Sequence, residues 1–461
     1  MSIRIHRRKF LGCAATGAAG LTILRNSASV WGAPANTKLN IAMIGVGGRG
    51  RELLGGFMQA GNVVAMCDVN DERAAKAYQS VPAAKKFHDF RRMFDEMGAG
   101  IDAAVVATPD HTHAIAAVTA MNAGKHVYVE KPMAACPYEA RVMRLTAEKM
   151  KVSSQMGNQG SSCPPFLRGV ELVQEGALGE IKEAYVWNSG GGPDAKEPPK
   201  ETPPVPPYLK WDLWLGPVKG RPFHPRWLDW SGWREFGTGQ LGMWGSHSGY
   251  LAFFALKVVD LWNAKAEAKP RIKVQAEFSG INKLSYPAWE VVHFKIPARA
   301  DMPPVTIHWV NGGGLTSPSR KKIEAHVGRQ LDWGDVGEKK WKEFAGSLIV
   351  GSKGMLLGGG HSATTELLPA AQFQGVDKNN PKKLIGCQGP ERDWLRVAKG
   401  EKATAMSNFS LAGPYMEMML LANVATLCNE ELEYDPLEGK IVNNAEADAL
   451  LRRPYRAGWS L

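Results

Sequence analysis

Apolar runs and helical spacings alternate through the first third of the chain. Leu39-Asn40-Ile41-Ala42-Met43-Ile44 is a short apolar run that predicts a strand buried on both faces. A glycine-rich turn follows, and Arg51 to Ala60 then has helical spacing. Val63 to Cys67 predicts a second buried strand, with helices over Arg73 to Gln79 and Phe90 to Glu96. Ile101 to Ala107 predicts another strand, broken by Thr108-Pro109-Asp110. A helix from His113 to Ala123 and a strand from His126 to Val129 continue the series. This alternation predicts an α/β doubly wound parallel sheet. After Met150 the pattern changes. A helix (Leu167 to Glu175) leads to a strand starting near Gly179 and running through Trp187. Residues 193–207 are proline-rich and predict an extended arm. Ile272 to Ala276, Trp289 to Ile296 and Val305 to Val310 then alternate as strands. Ile349 to Leu356 reads as strand–turn–strand, and Leu411 to Cys428 as a long helix.

Length and composition fit this picture. A chain of 461 residues accommodates two domains, and 44% hydrophobic with 22% charged residues is a globular composition. The formal charge is +11, but Arg4, Arg7, Arg8, Lys9 and Arg25 lie within the first 35 residues, which hold no acid. The remaining +6 is spread thinly, with no Lys/Arg block, so no nucleic-acid partner is expected. The six cysteines show no CxxC and no metal-type spacing, so neither a disulfide framework nor a bound metal is expected. Arg7-Arg8-Lys9-Phe10-Leu11 followed by a weakly apolar stretch from Cys13 to Leu24 resembles a twin-arginine export signal. Ala33-Pro34-Ala35 offers small residues for cleavage near residue 35. The expected divisions are a signal peptide (1–35), a dinucleotide-binding domain (36–158) and a second domain (159–461). The expected location is the periplasm, reached through the twin-arginine export machinery. That route carries proteins already folded, often around a cofactor, so a retained cofactor is expected.

The turn after the first strand is Gly45-Val46-Gly47-Gly48-Arg49-Gly50, a Gly-x-Gly-x-x-Gly sequence between strand and helix. There Gly45 permits the tight turn, Gly47 lets a pyrophosphate approach the backbone, and Gly50 allows close helix–strand packing. The helix start supplies free N–H groups and a positive dipole for the phosphates. Asp68 ends the second strand about twenty residues on, where an acid accepts hydrogen bonds from an adenosine ribose. Its carboxylate repels a 2′-phosphate, which favours NAD over NADP; Arg73 nearby weakens that preference. These signals identify the first domain as a Rossmann fold.

Two segments project beyond the carboxyl ends of later strands: Thr108-Pro109-Asp110-His111-Thr112-His113 and Glu130-Lys131-Pro132. With Gly124-Lys125-His126-Val127 and the glycine loop, they resemble the glucose–fructose oxidoreductase / inositol dehydrogenase / rhizopine catabolism (Gfo/Idh/MocA) family. The resemblance implies that Thr108, Pro109, Glu130 and Lys131 line the nicotinamide side. Gly48, Arg49 and His113 are placed with them among the cofactor-binding residues. Lysine suits proton transfer because burial shifts its pKa readily. Gly157-Asn158-Gln159-Gly160 resembles the family's crossover, which implies that Gln159 reaches back to the cofactor. His111 and His113 could pair on a metal, but no third ligand is visible, and helix capping or packing is the better reading.

The second domain is then an α+β unit with the large, mainly antiparallel open sheet seen in relatives. Gly237 to His247 is similar to a family segment Gly-x-Gly-x-Leu-x-Asp-x-Gly-x-His, whose Asp and His face the reacting carbinol. His247 aligns with that histidine and is expected to relay a proton with Lys131. Met243 stands at the aspartate position, and Tyr250 replaces a further acid. Trp187, Arg234 and His247 are the expected substrate contacts. Trp211, Trp214, Trp227, Trp230 and Trp233 tilt the substrate toward carbohydrate, although buried core or subunit interface is the better reading for most of them. A homo-oligomer, dimer or tetramer, is expected by resemblance. Three functions stay open. One is an NAD-dependent oxidoreductase acting on a sugar, glycoside or cyclitol hydroxyl. Another is a glycosidase or lyase that oxidises a ring hydroxyl transiently and recycles its NAD. The third is a non-catalytic sugar-binding protein.

Overall fold

The computed structural model describes residues 38–314, 317–333, 343–385, 389–401 and 404–461. The leader, including Arg7, Arg8 and Cys13, and also Cys387 lie outside the described residues.

The N-terminal unit alternates β1 (Asn40–Ile44), α1 (Arg49–Ala60), β2 (Asn62–Cys67), α2 (Asp71–Ser80), β3 (Lys85–Phe87) and α3 (Phe90–Met97). It continues through β4 (Ala103–Val106), α4 (Asp110–Asn122), β5 (His126–Glu130), α5 (Pro137–Met150) and β6 (Ser154–Gly157). Its helices start on local signals. Asn70 accepts a hydrogen bond from the Arg73 N–H at 3.0 Å, Asp89 does so from the Arg91 N–H at 2.9 Å, and Pro137 opens α5. The six strands are parallel in the order β3-β2-β1-β4-β5-β6. The chain changes direction between β1 and β4, and in such sheets a ligand crevice opens beyond the strand ends at that point. β3 and β6 are short and polar, without the apolar pattern that marks the other four. The outer edge of β6 is covered: Met156 N–H donates to the Ser407 carbonyl at 2.8 Å, and Phe409 N–H to Ser154 Oγ at 3.0 Å.

Among the described residues the second sheet has nine strands in the order β13-β12-β11-β7-β10-β9-β8-β14-β15, where only β7 and β10 pair in parallel. After α6 (Pro164–Gln174) come β7 (Ile181–Asn188), α7 (Ser246–Ala255), β8 (Ile272–Phe278), β9 (Glu290–Ile296) and β10 (Val305–Asn311). Then follow α8 (Pro318–Val327), β11 (Ala345–Gly351), β12 (Met355–Gly359), β13 (Thr365–Leu368), α9 (Pro390–Ala398), α10 (Phe409–Ala425), β14 (Leu432–Asp435) and β15 (Lys440–Ile441). One face, through Ala184, Val186, Trp309 and Ile349, belongs to the main core with Tyr250, Phe253, Tyr415 and Met419. The opposite face buries Tyr185, Trp187 and Leu348 under Ile323, Val327 and Trp333.

The late helices return to the first unit. Trp394 of α9 packs edge-on against Phe57 (6.0 Å) and at a tilt against Tyr128 (5.8 Å), on the Rossmann face away from the main core. The α10 helix is apolar around its circumference and buried along its length. It lies among Ala140, Met143, Tyr250 and Ile272 in one continuous core shared by both sheets.

Candidate active site

A cleft of about 420 Å³ runs along the carboxyl ends of the Rossmann strands, and the second domain closes its far end. The glycine loop forms one wall. Gly45 has φ +82°, and a Cβ there would lie 2.6 Å from the Ala107 carbonyl oxygen. A Cβ on Gly50 would come within 1.9 Å of the Gly45 carbonyl oxygen, so α1 enters the turn only because residue 50 has no side chain. Asp68 Oδ2 accepts the N–H groups of Val46 (2.8 Å) and Gly47 (3.0 Å), while Oδ1 accepts Asn70 N–H (2.9 Å). Burial raises its carboxyl above the usual range, and these backbone donors and Arg73 oppose the rise. A fixed acid beside the loop, an uncapped helix start and a loop with no room for side chains fit a dinucleotide.

Beyond the loop, Arg49 Nε donates to Glu130 Oε1 at 3.3 Å and its Nη2 lies 3.5 Å from Glu391 of α9. Tyr128 also donates to Glu130 Oε1, at 3.2 Å. Burial raises the Glu130 carboxyl, with Arg49 and Lys131 opposing. Lys131 follows at the end of β5, and its Nζ donates to the Met243 carbonyl at 3.2 Å. Burial pulls this ammonium below its ordinary value, opposed by Glu130 and Asp110.

His113 braces this corner. Both ring nitrogens lie 2.7 Å from a carbonyl oxygen, Nδ1 from Pro132 and Nε2 from Thr108. Burial pushes its pKa down to about 4, although the two carbonyls favour the protonated ring. His111 is held the same way between the Phe236 and Trp214 carbonyls, so the two rings serve packing and positioning.

The far wall comes from the second domain. Leu241–Gly245 is a π-helical turn leading into α7, a feature frequent at functional sites. It presents Met243 and Trp244 to the cleft, with His247 one turn further on. His247 is buried, and its Nδ1 has no hydrogen-bond partner among the described residues. Burial, the Lys131 charge and His361 lower its imidazole well below the usual range.

The cleft gathers Gly45, Gly47, Gly48, Arg49, Asp68, Arg73, Thr108, Pro109, His113, Glu130, Lys131, Gln159 and His247. Gly50 stands directly behind them in α1. Two expected substrate contacts lie elsewhere. Trp187 is on the opposite face of the large sheet; its Nε1 donates to the Glu343 carbonyl at 2.9 Å and its ring packs on Trp333. The Arg234 guanidinium is committed to the carbonyls of Asn282, Ser285 and Asn423 and to Thr426 Oγ1, at 2.7–2.9 Å. Trp211, Trp214, Trp227 and Trp233 build a buried cluster with Phe223 and Phe236, and half-buried Trp230 lines the cleft. Tyr250 is core, donating to the Met406 carbonyl at 2.9 Å.

Among the other residues that line the cleft are Asp110, Trp244 and His361. Asp110 lay inside a motif already singled out, and its acid at a helix start was the available signal. Nothing in the spacing of the sequence points to His361.

Fold and cleft together define a two-domain dinucleotide-binding protein whose second domain completes a polar site. Residues 39–158 match the Gfo/Idh/MocA family, described as an oxidoreductase family with an NAD-binding Rossmann fold. The matched residues are those of the six-stranded parallel unit. The chain is similar to levoglucosan dehydrogenase of Pseudarthrobacter phenanthrenivorans, 28% identical over 25% of this chain and 29% of that one. It is 27% identical to an alpha-N-acetylgalactosaminidase of Shewanella oneidensis over 40% of this chain and 46% of that one. The chain spans less than half the length of these curated relatives. The fold is that of the WlbA dehydrogenase of Chromobactrium violaceum, solved with NADH and UDP-GlcNAcA. There the TM-score is 0.57 at 17% identity, covering 86% of this chain and 96% of that one.

Proposed function

We propose that this protein is an NAD-dependent oxidoreductase acting on a hydroxyl of a sugar, glycoside or cyclitol. The observation that carries the reading is half-buried Lys131 at the end of β5, whose ammonium is lowered by desolvation and which lines the dinucleotide cleft together with His247. When bound, NAD accepts or returns a hydride. The protein's part is to hold and move a proton. Lys131 Nζ, lowered by burial, acts in its unprotonated amine form: it takes the proton of the reacting hydroxyl as the hydride leaves, and neutral His247 accepts that proton from the resulting ammonium and releases it to solvent. His113 fixes the carbonyls on either side, Thr108 and Pro132, and so limits the travel of Lys131.

The reading includes export to the periplasm by the twin-arginine route, a tightly retained NAD and assembly as a dimer or tetramer. Retention follows because free nicotinamide nucleotide is scarce outside the cytoplasm. A second reading is a glycosidase that oxidises and re-reduces its sugar in place. It draws on the alpha-N-acetylgalactosaminidase relative, whose match is longer than that of the dehydrogenase.

Mass and absorbance analysis of the purified protein, before and after adding sugars and glycosides, tests the proposal. Co-purified NAD that is converted to NADH by a sugar supports the oxidoreductase. Released aglycone with no net NADH favours the glycosidase. If no nucleotide is found and none binds when added, both readings fall.

A further inference from the structure

One cleft residue plays no part in the Lys131–His247 relay. His361 lies in the turn between β12 and β13, and the structure holds that turn against the site from three sides. Gly160 approaches so closely that a Cβ on it would come 1.7 Å from the His361 carbonyl oxygen. Ser248 Oγ donates to the Gly360 carbonyl at 2.7 Å, and Ser362 Oγ donates back to the His247 carbonyl at 3.0 Å. Buried Ser362 also keeps φ +57°, a left-handed conformation that a serine holds only when its surroundings impose it. These contacts set the His361 ring edge-on to His247, centroids 4.7 Å apart, with the Trp244 ring 5.3 Å from His361. All three line the cleft with Lys131.

We propose that His361 is a specificity-determining residue: it binds the hydroxyl next to the one that reacts, so the substrate is a ring polyol with a vicinal diol. The inference rests on the oxidoreductase reading for which hydroxyl reacts. A neutral imidazole carries one N–H donor and one acceptor, the complement of a hydroxyl. Burial lowers the His247 imidazole well below its usual range, and at His361, exposed at the cleft wall, partial desolvation and the charges of Lys131 and Arg49 push the same way, toward the neutral ring. Two such rings side by side match two hydroxyls on neighbouring carbons. Trp244 beside them offers an apolar face to the C–H side of the ring. Met243 brings no carboxylate to compete for either hydroxyl.

Calorimetric binding to the NAD-loaded full-length protein tests this without requiring turnover. The probes are methyl β-D-glucopyranoside, methyl β-D-galactopyranoside, methyl N-acetyl-α-D-galactosaminide and myo-inositol, then each singly deoxygenated analogue of the tightest binder. In the wild type, removing the neighbouring hydroxyl weakens binding about tenfold, the worth of one good hydrogen bond. In His361→Ala the same removal costs less than about threefold, and KM rises more than kcat falls. His361→Gln keeps a donor and an acceptor and restores part of the discrimination, which separates recognition from a folding defect. NAD binding is unchanged in both variants. An equal deoxygenation penalty in wild type and His361→Ala overturns the assignment, as does a loss of NAD binding. If the wild type shows His361-dependent selectivity but no probe yields NADH, the oxidoreductase reading falls while the assignment of His361 stands. If the wild type binds none of the four probes, the assignment falls, and NADH formation with other sugars then judges the oxidoreductase reading separately.

Discussion

Replacing Asp110 with asparagine should change how stability depends on pH. Asp110 opens α4, its Oδ2 accepts the Thr238 hydroxyl at 2.6 Å, and its buried Oδ1 has no hydrogen-bond partner among the described residues. Burial pushes this carboxyl from 3.8 up to about 7, with Thr238 and the Lys131 charge opposing. Between those two values the folded protein keeps a proton that the unfolded chain has released. Stability therefore falls as pH rises through the window and levels off above the folded value. Each unit is worth about 1.4 kcal/mol, so the roughly two units between pH 5 and the folded value cost roughly 3 kcal/mol. Asparagine has nearly the same shape, accepts the Thr238 hydroxyl and never ionises. The stability of Asp110→Asn relative to wild type should therefore increase by roughly 3 kcal/mol from pH 5 to pH 8. Urea unfolding of both proteins at the two pH values measures the difference directly, since the common pH dependence of the other groups cancels. A gap that is the same at both pH values within about 0.5 kcal/mol refutes the reasoning. It would mean that Asp110 is ionised throughout and that its charge is fully matched by Lys131.

Other substitutions separate the parts of the site. Lys131→Met should lower hydride transfer about 10²- to 10⁴-fold, and Lys131→Arg should not restore it because arginine stays charged, while NAD affinity measured by calorimetry falls far less than the rate. Gly50→Ala forces a Cβ toward the Gly45 carbonyl; it should weaken NAD binding at least about tenfold and cost about 1–3 kcal/mol in unfolding experiments. Asp68→Ala removes the acid beside Arg73, so the NADP/NAD ratio of dissociation constants should fall, with NAD weakened about tenfold.

The apolar runs were the legible part of the fold. β1, β2, β4 and β5 are buried on both faces or nearly so, and their composition declares it. β3 (Lys85-Lys86-Phe87) and β6 (Ser154-Gln155-Met156-Gly157) lack that signal because they stand at the sheet edges, and β6 owes its burial to residues 407–409, far along the chain. Local motifs point to the glycine-loop half of the cleft, since one strand–turn–helix unit builds most of it. The other half depends on which face of a sheet meets the first domain. Period-2 spacing puts Trp187 and Tyr185 on the same face, but it does not say that this face points away from the cleft. Arg234 failed for a different reason: a polar side chain near a site can be used up by backbone carbonyls, and only the folded chain reveals it. His361 reaches the cleft through the pairing of β12 with β13, a nonlocal contact that leaves no trace in residue spacing.

Met243 bears on the proposed proton relay. At the position where the family resemblance implies an aspartate, Lys131 donates to the Met243 backbone carbonyl at 3.2 Å and lies 3.9 Å from its thioether. A carboxylate at that point would pair with the ammonium and hold the proton on it. A carbonyl orients Nζ but adds no full charge, so burial is left to lower the lysine against Glu130 and Asp110 alone. The exchange therefore makes Lys131 easier to deprotonate and better suited to act as a base toward a hydroxyl near neutral pH. Asp110, with a carboxyl near 7, is an acid in the cleft whose ionisation would raise the lysine again within that range. In the proposed reaction, charging Asp110 and losing the Lys131 proton oppose each other. The acid limb of the pH–rate profile should then shift to lower pH in Asp110→Asn, because the lysine no longer has to overcome that charge. A limb that does not move would place Asp110 outside the relay, with structure as its only role.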